Sequence, residues 1–163
     1  MENFIKATFE DAALLSRLAE TIWHEHYTPI IGAEQVEYML ERFQSREVIG
    51  TQIRSNEQSY YLIKHNDETA GYFAIKPQND MLFLSKIYIL KSHRNKGIGK
   101  SAFRFIAAEA RALGLSGVYL TVNKNNSDSI KAYEKMGLQK ESSVVNDIGN
   151  GFVMDDYIMV YRQ

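Results

Sequence analysis

The stretch Ile87-Tyr-Ile-Leu-Lys-Ser-His-Arg-Asn-Lys-Gly-Ile-Gly-Lys-Ser101 does most to limit what this chain can become. Residues 81–90 are a long apolar run that reads as a strand. A short polar turn with His93 and Arg94 follows, and Gly97 and Gly99 then open a helix to about residue 113, closed by Gly114. Glycines at a helix start let backbone N–H groups approach an anion with no Cβ in the way. The helix terminus adds about half a positive charge, and Arg94, Lys96 and Lys100 add full charges nearby. Together these parts predict a phosphate or pyrophosphate cradle. An ordinary glycine-rich turn with solvated basic side chains uses the same residue types. The spacing Arg94-x-x-Gly97-x-Gly99, directly after a long apolar strand, favours the cradle.

Around this segment the apolar periodicity changes twice. Residues 4–7 read as a strand. Thr8 is a candidate N-cap, with Glu10 and Asp11 in the first turn. Leu14, Leu15, Leu18 and Ile22 continue a helix to about Tyr27, where Thr28-Pro29 is expected to stop it. Val36, Met39, Leu40 and Phe43 form a second helical stripe, and Ser45 caps a third helix to about Arg54. Strands then replace helices: 60–64 and 70–76 flank the hairpin turn Asn66-Asp67, and Pro77-Gln-Asn-Asp80 is a further turn. After the 81–90 strand and its helix, whose inner face carries Ile98, Ala102, Phe105 and Ile106, come a strand over 118–122 and a helix over 127–136 ended by Gly137. Strands over 138–145 and 157–161, joined through Gly149-Asn150-Gly151, complete the chain. The order is β-α-α-α-β-β-β-α-β-α-β-β. It predicts one α/β domain over 1–163, with helices flanking a mixed, mostly antiparallel central sheet.

Composition narrows the function classes. Nineteen Lys and Arg against 20 Asp and Glu leave a net charge of −1, without the basic excess that nucleic acid or an anionic membrane wants. With no cysteine there is no disulfide framework, thiolate nucleophile or Cys-ligated zinc, and a reducing, cytoplasmic setting is expected. The four His, without Cys or paired carboxylate spacing, are a poor metal signal, so no metal is expected. No apolar run approaches the ~18 residues of a membrane span, and the start Met-Glu-Asn-Phe-Ile-Lys lacks a basic-then-apolar leader pattern.

Two phosphate motifs fail. Gly99-Lys100-Ser101 looks like the end of a P-loop, but Arg94 stands where that motif needs its first glycine, and the next strand ends Thr121-Val122-Asn123 without an acidic residue for magnesium. Gly97-x-Gly99-x-x-Ala102 weakly matches the dinucleotide fingerprint, but it falls mid-chain. A third pattern fits. Arg94-Asn-Lys-Gly97-Ile-Gly99 resembles the acyl-CoA pyrophosphate motif R/Q-x-x-G-x-G/A of the Gcn5-related N-acetyltransferase (GNAT) family. About 30 residues later, Asn126-x-x-Ser129-Ile130-x-x-Tyr133-Glu134-Lys135-x-Gly137-Leu138 resembles its block N-x-x-[AS]-x-x-x-[YF]-x-x-x-G-F, with Leu138 in place of the usual Phe. The resemblance is strong over about 82–138 and extends in element order to the whole chain. Trp23-His-Glu-His-Tyr27, the run to Leu40, and Lys86-Ile-Tyr-Ile-Leu90 resemble the bacterial spermidine/spermine (diamine) acetyltransferase branch.

The resemblance implies a GNAT-like acyl-CoA N-acyltransferase fold and direct transfer of an acetyl group from acetyl-CoA to a primary amine of a small molecule, polyamine-like acceptors included. It also implies roles. Backbone of Ile87, Tyr88 and Ile89 pairs with the pantetheine arm like an added strand. Amides of Asn95, Lys96, Gly97, Ile98 and Gly99, with Arg94, Lys100 and Ser101, hold the pyrophosphate. Asn123, Asn126 and Ser129 contact the cofactor. The amide near Tyr88 or Ile89 steadies the developing oxyanion, worth ~3 kcal/mol, and Tyr133 protonates the leaving thiolate. The family often forms dimers, and the Tyr-rich last strand could contribute to a homodimer interface or serve as an edge or core strand.

Several residues keep two readings. Tyr133 with Ile130 is also an ordinary core-facing pair. The base that must deprotonate the amine is open among His24, Glu25, His26, Asp155 and Asp156, each of which also suits a helix end or turn. Glu34, Glu37 and Glu41 share one helical face, either solvated or suited to a polycation. Trp23, Tyr27 and Tyr38 suit the core or a cationic acceptor. A non-catalytic CoA-binding module and a protein or peptide amine acetyltransferase are the competing functions.

Overall fold

In the computed structural model, which describes residues 2–163, the expected element order is present with one short helix added, Thr28–Ile31. The strands are β1 (Glu2–Lys6), β2 (Ser59–His65), β3 (Glu68–Gln78), β4 (Met81–Ile89), β5 (Gly117–Asn123), β6 (Gln139–Gly149) and β7 (Phe152–Arg162). The helices are α1 (Ala12–His26), α2 (Thr28–Ile31), α3 (Ala33–Phe43), α4 (Arg46–Arg54), α5 (Ile98–Ala112) and α6 (Ser127–Lys135). The strands form one mixed sheet in the order β1-β2-β3-β4-β5-β7-β6. The pairs β1–β2, β2–β3, β5–β7 and β7–β6 are antiparallel, and β4–β5 is parallel.

The chain divides into two compact units. The first takes in the chain to Lys76 together with Lys86–Ala102. Its core follows from the helical stripes: Leu15, Leu18, Ala19, Ile22 and Trp23 of α1, Val36, Met39 and Leu40 of α3, and Ile49 of α4 are buried. Tyr60, Leu62, Tyr72 and Ala74 of β2 and β3 are buried with them. Thr8 does cap a turn, its N–H donating to Asp11 Oδ2 at 2.8 Å, but the turn is a 3-10 turn that leads into α1. Ser45 caps α4 as expected, its hydroxyl accepting from Val48 N. Thr28-Pro29 ends α1 but not helicity. Pro29 lies in the first turn of α2, where a missing N–H breaks no bond, and Gly32 at φ 87° ends that helix.

The second unit comprises Pro77–Ser85 and Phe103–Gln163. Leu82 and Leu84 of β4, Val118, Leu120 and Val122 of β5, and Met159 and Val160 of β7 are buried, with Phe103, Ile106, Ala107 and Ala110 of α5. Phe103 thus takes a place expected for Phe105. Three boundaries differ from expectation. β3 continues through Pro77 to Gln78, since its register with β2 ends at Ile75 and the proline removes no bond to that neighbour. β6 and β7 each reach 11 residues, not 8 and 5, joined by Asn150-Gly151 at φ 54° and 79° in a left-handed pair that suits a two-residue hairpin. The length added to β6 carries the exposed polar pair Asn146 and Asp147, and in β7 Asp155 and Asp156 separate Phe152-Val153-Met154 from the apolar run that was read as the strand.

Candidate active site

Two strand-to-helix corners carry the predicted residues. The first follows β4. Gly71 on β3 lies so close that an added Cβ would sit 2.0 Å from Tyr88 O and 3.0 Å from Ile89 Cα. The Tyr88 carbonyl therefore faces β3. A trans peptide sets the next N–H opposite to that carbonyl, so the Ile89 amide points away from β3. The Ile89 carbonyl accepts a bond from Arg94 Nε at 3.1 Å. Arg94 therefore anchors the turn to the strand end with part of its guanidinium, a role its charge alone did not reveal.

Beyond Arg94 the chain turns through two left-handed residues, Asn95 at φ 63° and Gly97 at φ 75°. The bond from Ser101 N to Gly97 O, 3.1 Å, begins the α5 ladder, so the amides of Ile98, Gly99 and Lys100 have no partner inside the helix. A Cβ on Gly97 would meet nothing within 4 Å, so this face is open. The Ile98 side chain is buried and pins the first turn, while Asn95, Lys96 and Lys100 are exposed. Donors, a helix terminus and cationic side chains converge there, an arrangement that suits a diphosphate.

One face of β4 alternates Leu82, Leu84, Lys86 and Tyr88. The Tyr88 ring lies 5.7 Å from that of Trp23, 6.1 Å from Tyr27 and 5.5 Å from Tyr72. Trp23 is buried, and among the described residues its indole N–H has no hydrogen-bond partner. Lys86 Nζ lies 5.7 Å from the Tyr60 ring. Burial, with Lys76 adding repulsion, pulls the Lys86 amine down to about 8. Lys86 was missed as a candidate, although a lysine inside an alternating buried stripe was a readable signal.

The second corner follows β5. Asn123 ends the strand, its Oδ1 accepting from Asn125 N at 2.9 Å, and Asn126 N donates to Asn123 O at 2.9 Å. Asn126 is buried at the start of α6, Ser129 is half-buried one turn on, and Tyr133 is half-buried one turn further. Ile130 is buried beside them. Opposite Asn123 in register stands Asp156 of β7. It is 3% exposed. Burial, with Asp155 adding to it, pushes Asp156 up to about 6, while Lys124 pulls the other way. Asp155 is instead half in solvent and ion-paired to Lys124 at 2.9 Å.

The remaining candidates separate. Both ring nitrogens of His24 are engaged, Nε2 with Glu37 Oε1 at 2.5 Å and Nδ1 with Thr28 Oγ1 at 3.2 Å. Glu25 is exposed, and the His26 ring packs on Tyr27. Glu34, Glu37 and Glu41 lie on the exposed face of α3, and the Tyr38 hydroxyl accepts from Arg42. Among the described residues, no three His, Asp or Glu side chains gather as metal ligands, and no helix is long and apolar enough to cross a membrane.

Residues 16–138 match the model of the Acetyltransferase (GNAT) family. The chain belongs to that family. It is therefore an acetyl-CoA-dependent N-acetyltransferase, as the paired motifs at 94–99 and 126–138 implied. It is 27% identical over 125 residues to an uncharacterized N-acetyltransferase in the pepI 3′ region of Lactobacillus delbrueckii subsp. lactis, covering 72% of each chain. Its fold is similar to that of the PaiA N-acetyltransferase from Thermoplasma acidophilum in complex with coenzyme A, with TM-score 0.85, 22% identity and coverage of 100% of this chain and 99% of that one. It is also similar to the dodecameric spermidine N-acetyltransferase of Vibrio cholerae, with TM-score 0.70, 17% identity and coverage of 99% and 94%. The mixed sheet of seven strands with its flanking helices is the GNAT fold.

Proposed function

We propose that this chain, as a single domain over 1–163, moves the acetyl group of acetyl-CoA to the primary amine of a small molecule by direct attack of that amine on the thioester. The observation that carries the reading is the corner after β4, where Asn95 and Gly97 turn left-handed and the first amides of α5 lack helical partners. Asn95, Lys96, Gly97, Ile98 and Gly99 bind the pyrophosphate through their amides, with Lys100 and Ser101 beside them. The Arg94 side chain keeps the turn in place through Ile89 O. Ile87, Tyr88 and Ile89 align the pantetheine arm by main-chain bonds, and the register of β4 with β5 ends at Phe83, ahead of these residues. The Ile89 amide, which points away from β3, donates to the developing oxyanion, worth about 3 kcal/mol. Asn123, Asn126 and Ser129 contact the cofactor, and the Tyr133 hydroxyl gives its proton to the leaving sulfur.

The acceptor we favour is a polyamine-like cation. The aromatic faces of Trp23, Tyr27 and Tyr88, grouped within 6.1 Å, suit such a group, and the fold is shared with the spermidine enzyme named above. A chain without cysteine suits the reducing cytoplasm as the place of this reaction.

Acetyl-CoA titration of the purified chain, followed by a screen for amine-dependent CoA release over polyamines, amino acids and peptides, tests the reading. Saturable binding below millimolar concentration and turnover with a small amine are expected. Binding without transfer to any amine overturns the enzyme reading in favour of a CoA-binding module, and a preference for peptides overturns the small-molecule acceptor.

A further inference from the structure

We propose that Asp156 is the general base of this enzyme, taking the first proton from the acceptor ammonium through its buried carboxylate at the β7 position paired with Asn123. The inference rests on the transferase reading above and supplies the group that reading leaves open.

Placement is the first argument. Asp156 stands opposite Asn123, and directly opposed residues of an antiparallel pair share a face with Cβ atoms about 5 Å apart. Asn123 is the last residue of β5, and four residues later α6 begins, the helix that carries Tyr133. The carboxylate and the phenol therefore belong to the same unit, the carboxylate opposite the strand end that leads into the phenol's helix. The second argument is cost. Burying a carboxylate is unfavourable to folding unless its charge is well compensated. Asp155 shows how this corner satisfies an acid, through a direct ion pair to Lys124 and through solvent, whereas Asp156 is 3% exposed and feels Lys124 only as a nearby charge that its burial outweighs. A strand position that needed only packing would be filled better by an apolar side chain.

The third argument is elimination. His24 has both ring nitrogens occupied, Glu25 is exposed, the His26 ring packs on Tyr27, and Asp155 is ion-paired. The groups acting on Asp156 are few. Asp155 and Lys124 are the charges, and the residues paired with it on β5 and β6 are Asn123 and Val144, neither of which titrates. Its affinity for a proton exceeds that of an ordinary carboxylate, yet it remains mostly ionised at pH 7.

Two protons leave the nitrogen in the reaction. Asp156 accepts the first from the ammonium, which frees the lone pair to form the C–N bond. As the C–S bond breaks, the sulfur takes a proton from Tyr133, and the phenol is restored by the second proton from the nitrogen. Asp156 then returns its own proton to solvent. The sum is amide, free thiol and one released proton.

The test compares wild type, Asp156→Asn and Asp156→Glu, all first checked for acetyl-CoA affinity and thermal midpoint. Spermidine and hydroxylamine are the acceptor probes; hydroxylamine is already neutral at pH 7 and needs no base. With spermidine, Asp156→Asn is expected to lose about 100-fold in kcat/KM, to lose the rise of kcat/KM between pH 5 and 7, and to bind acetyl-CoA within about twofold of wild type. With hydroxylamine the loss should shrink to a few-fold. Asp156→Glu should recover part of the rate with a displaced acid limb, and it decides the matter if the Asn variant does not fold. An unchanged acid limb in Asp156→Asn, or equal losses with both acceptors, overturns the proposal. Wild-type protein that binds acetyl-CoA and acetylates neither probe overturns it together with the transferase reading, whereas an active wild type beside an equally active Asp156→Asn overturns the base alone.

Discussion

The two strand-to-helix corners solve different problems with different parts of the chain. After β4, function is assigned to the main chain: left-handed Asn95 and Gly97, open amides at the start of α5, and side chains that only hold or surround the turn. After β5, it is assigned to side chains, Tyr133 from α6 and Asp156 from β7, set among ordered asparagines. A diphosphate needs only donors and positive potential, which one short segment can supply. Proton transfer needs an acid and a base, and here the base comes from a strand about twenty residues further along the chain than the acid.

The sharpest contrast lies in two glycines of the first region. Gly71→Ala drives a methyl into the Tyr88 carbonyl, where backbone cannot yield, so a stability loss of about 3 kcal/mol or outright unfolding is expected in a thermal melt. A near-normal Tm would show that β3 and β4 can part without harm. Gly97→Trp places its side chain in open space and carries only the left-handed penalty of about 1–2 kcal/mol. It should leave a folded chain whose acetyl-CoA affinity, by calorimetry, falls about 100-fold. Affinity within a few-fold of wild type would remove the nest from the site.

At the second corner, Tyr133→Phe should lower kcat about 100-fold while acetyl-CoA binding stays within a few-fold, since the lost hydroxyl acts on the leaving group. Full activity would return Tyr133 to packing with Ile130. Asp156 predicts a separate pH effect on stability. Its folded-state pKa is raised from 3.8 to about 6, so the native state binds its proton more tightly than the unfolded chain does. Below pH 3.8 both states are protonated and nothing changes; between 3.8 and 6 stability falls as pH rises; above 6 the penalty is complete. Asp156→Asn should therefore raise Tm more at pH 8 than at pH 4.5, while it lowers activity. A Tm gain of the same size at both pH values would contradict the raised affinity.

The same contrast explains what could be read before any coordinates. The nest was legible because its determinants are local: Gly97, Gly99 and Arg94 lie within six residues after an apolar strand. The element order was legible because helical and strand periods differ clearly from Leu14 to Ile22 and from 81 to 90. Asp156 could be placed only among five candidates for the base, since burial and register depend on β5 and β6 and leave no trace in spacing. Arg94 read as a charge for phosphate, and only the turn geometry shows its Nε on Ile89 O. The added lengths were hidden by polar residues that interrupt the alternation, Asn146 and Asp147 in β6 and Asp155 and Asp156 in β7.

The smallest expected effect gives the finest test. Lys124 and Asp155 form a surface ion pair with side chains 31% and 52% exposed, a class worth about 0–1 kcal/mol. Lys124→Ala should therefore barely move Tm. Yet the Lys124 charge lowers the proton affinity of Asp156, and its removal also leaves Asp155 uncompensated next door. Both changes favour protonated Asp156, so the acid limb of kcat/KM should move to higher pH while the rate at pH 8 is nearly kept. A structural ion pair would shift stability and leave the limb in place. A limb that moves with stability unchanged ties the proton-accepting group to this corner through electrostatics alone, without any substitution of the carboxylate itself.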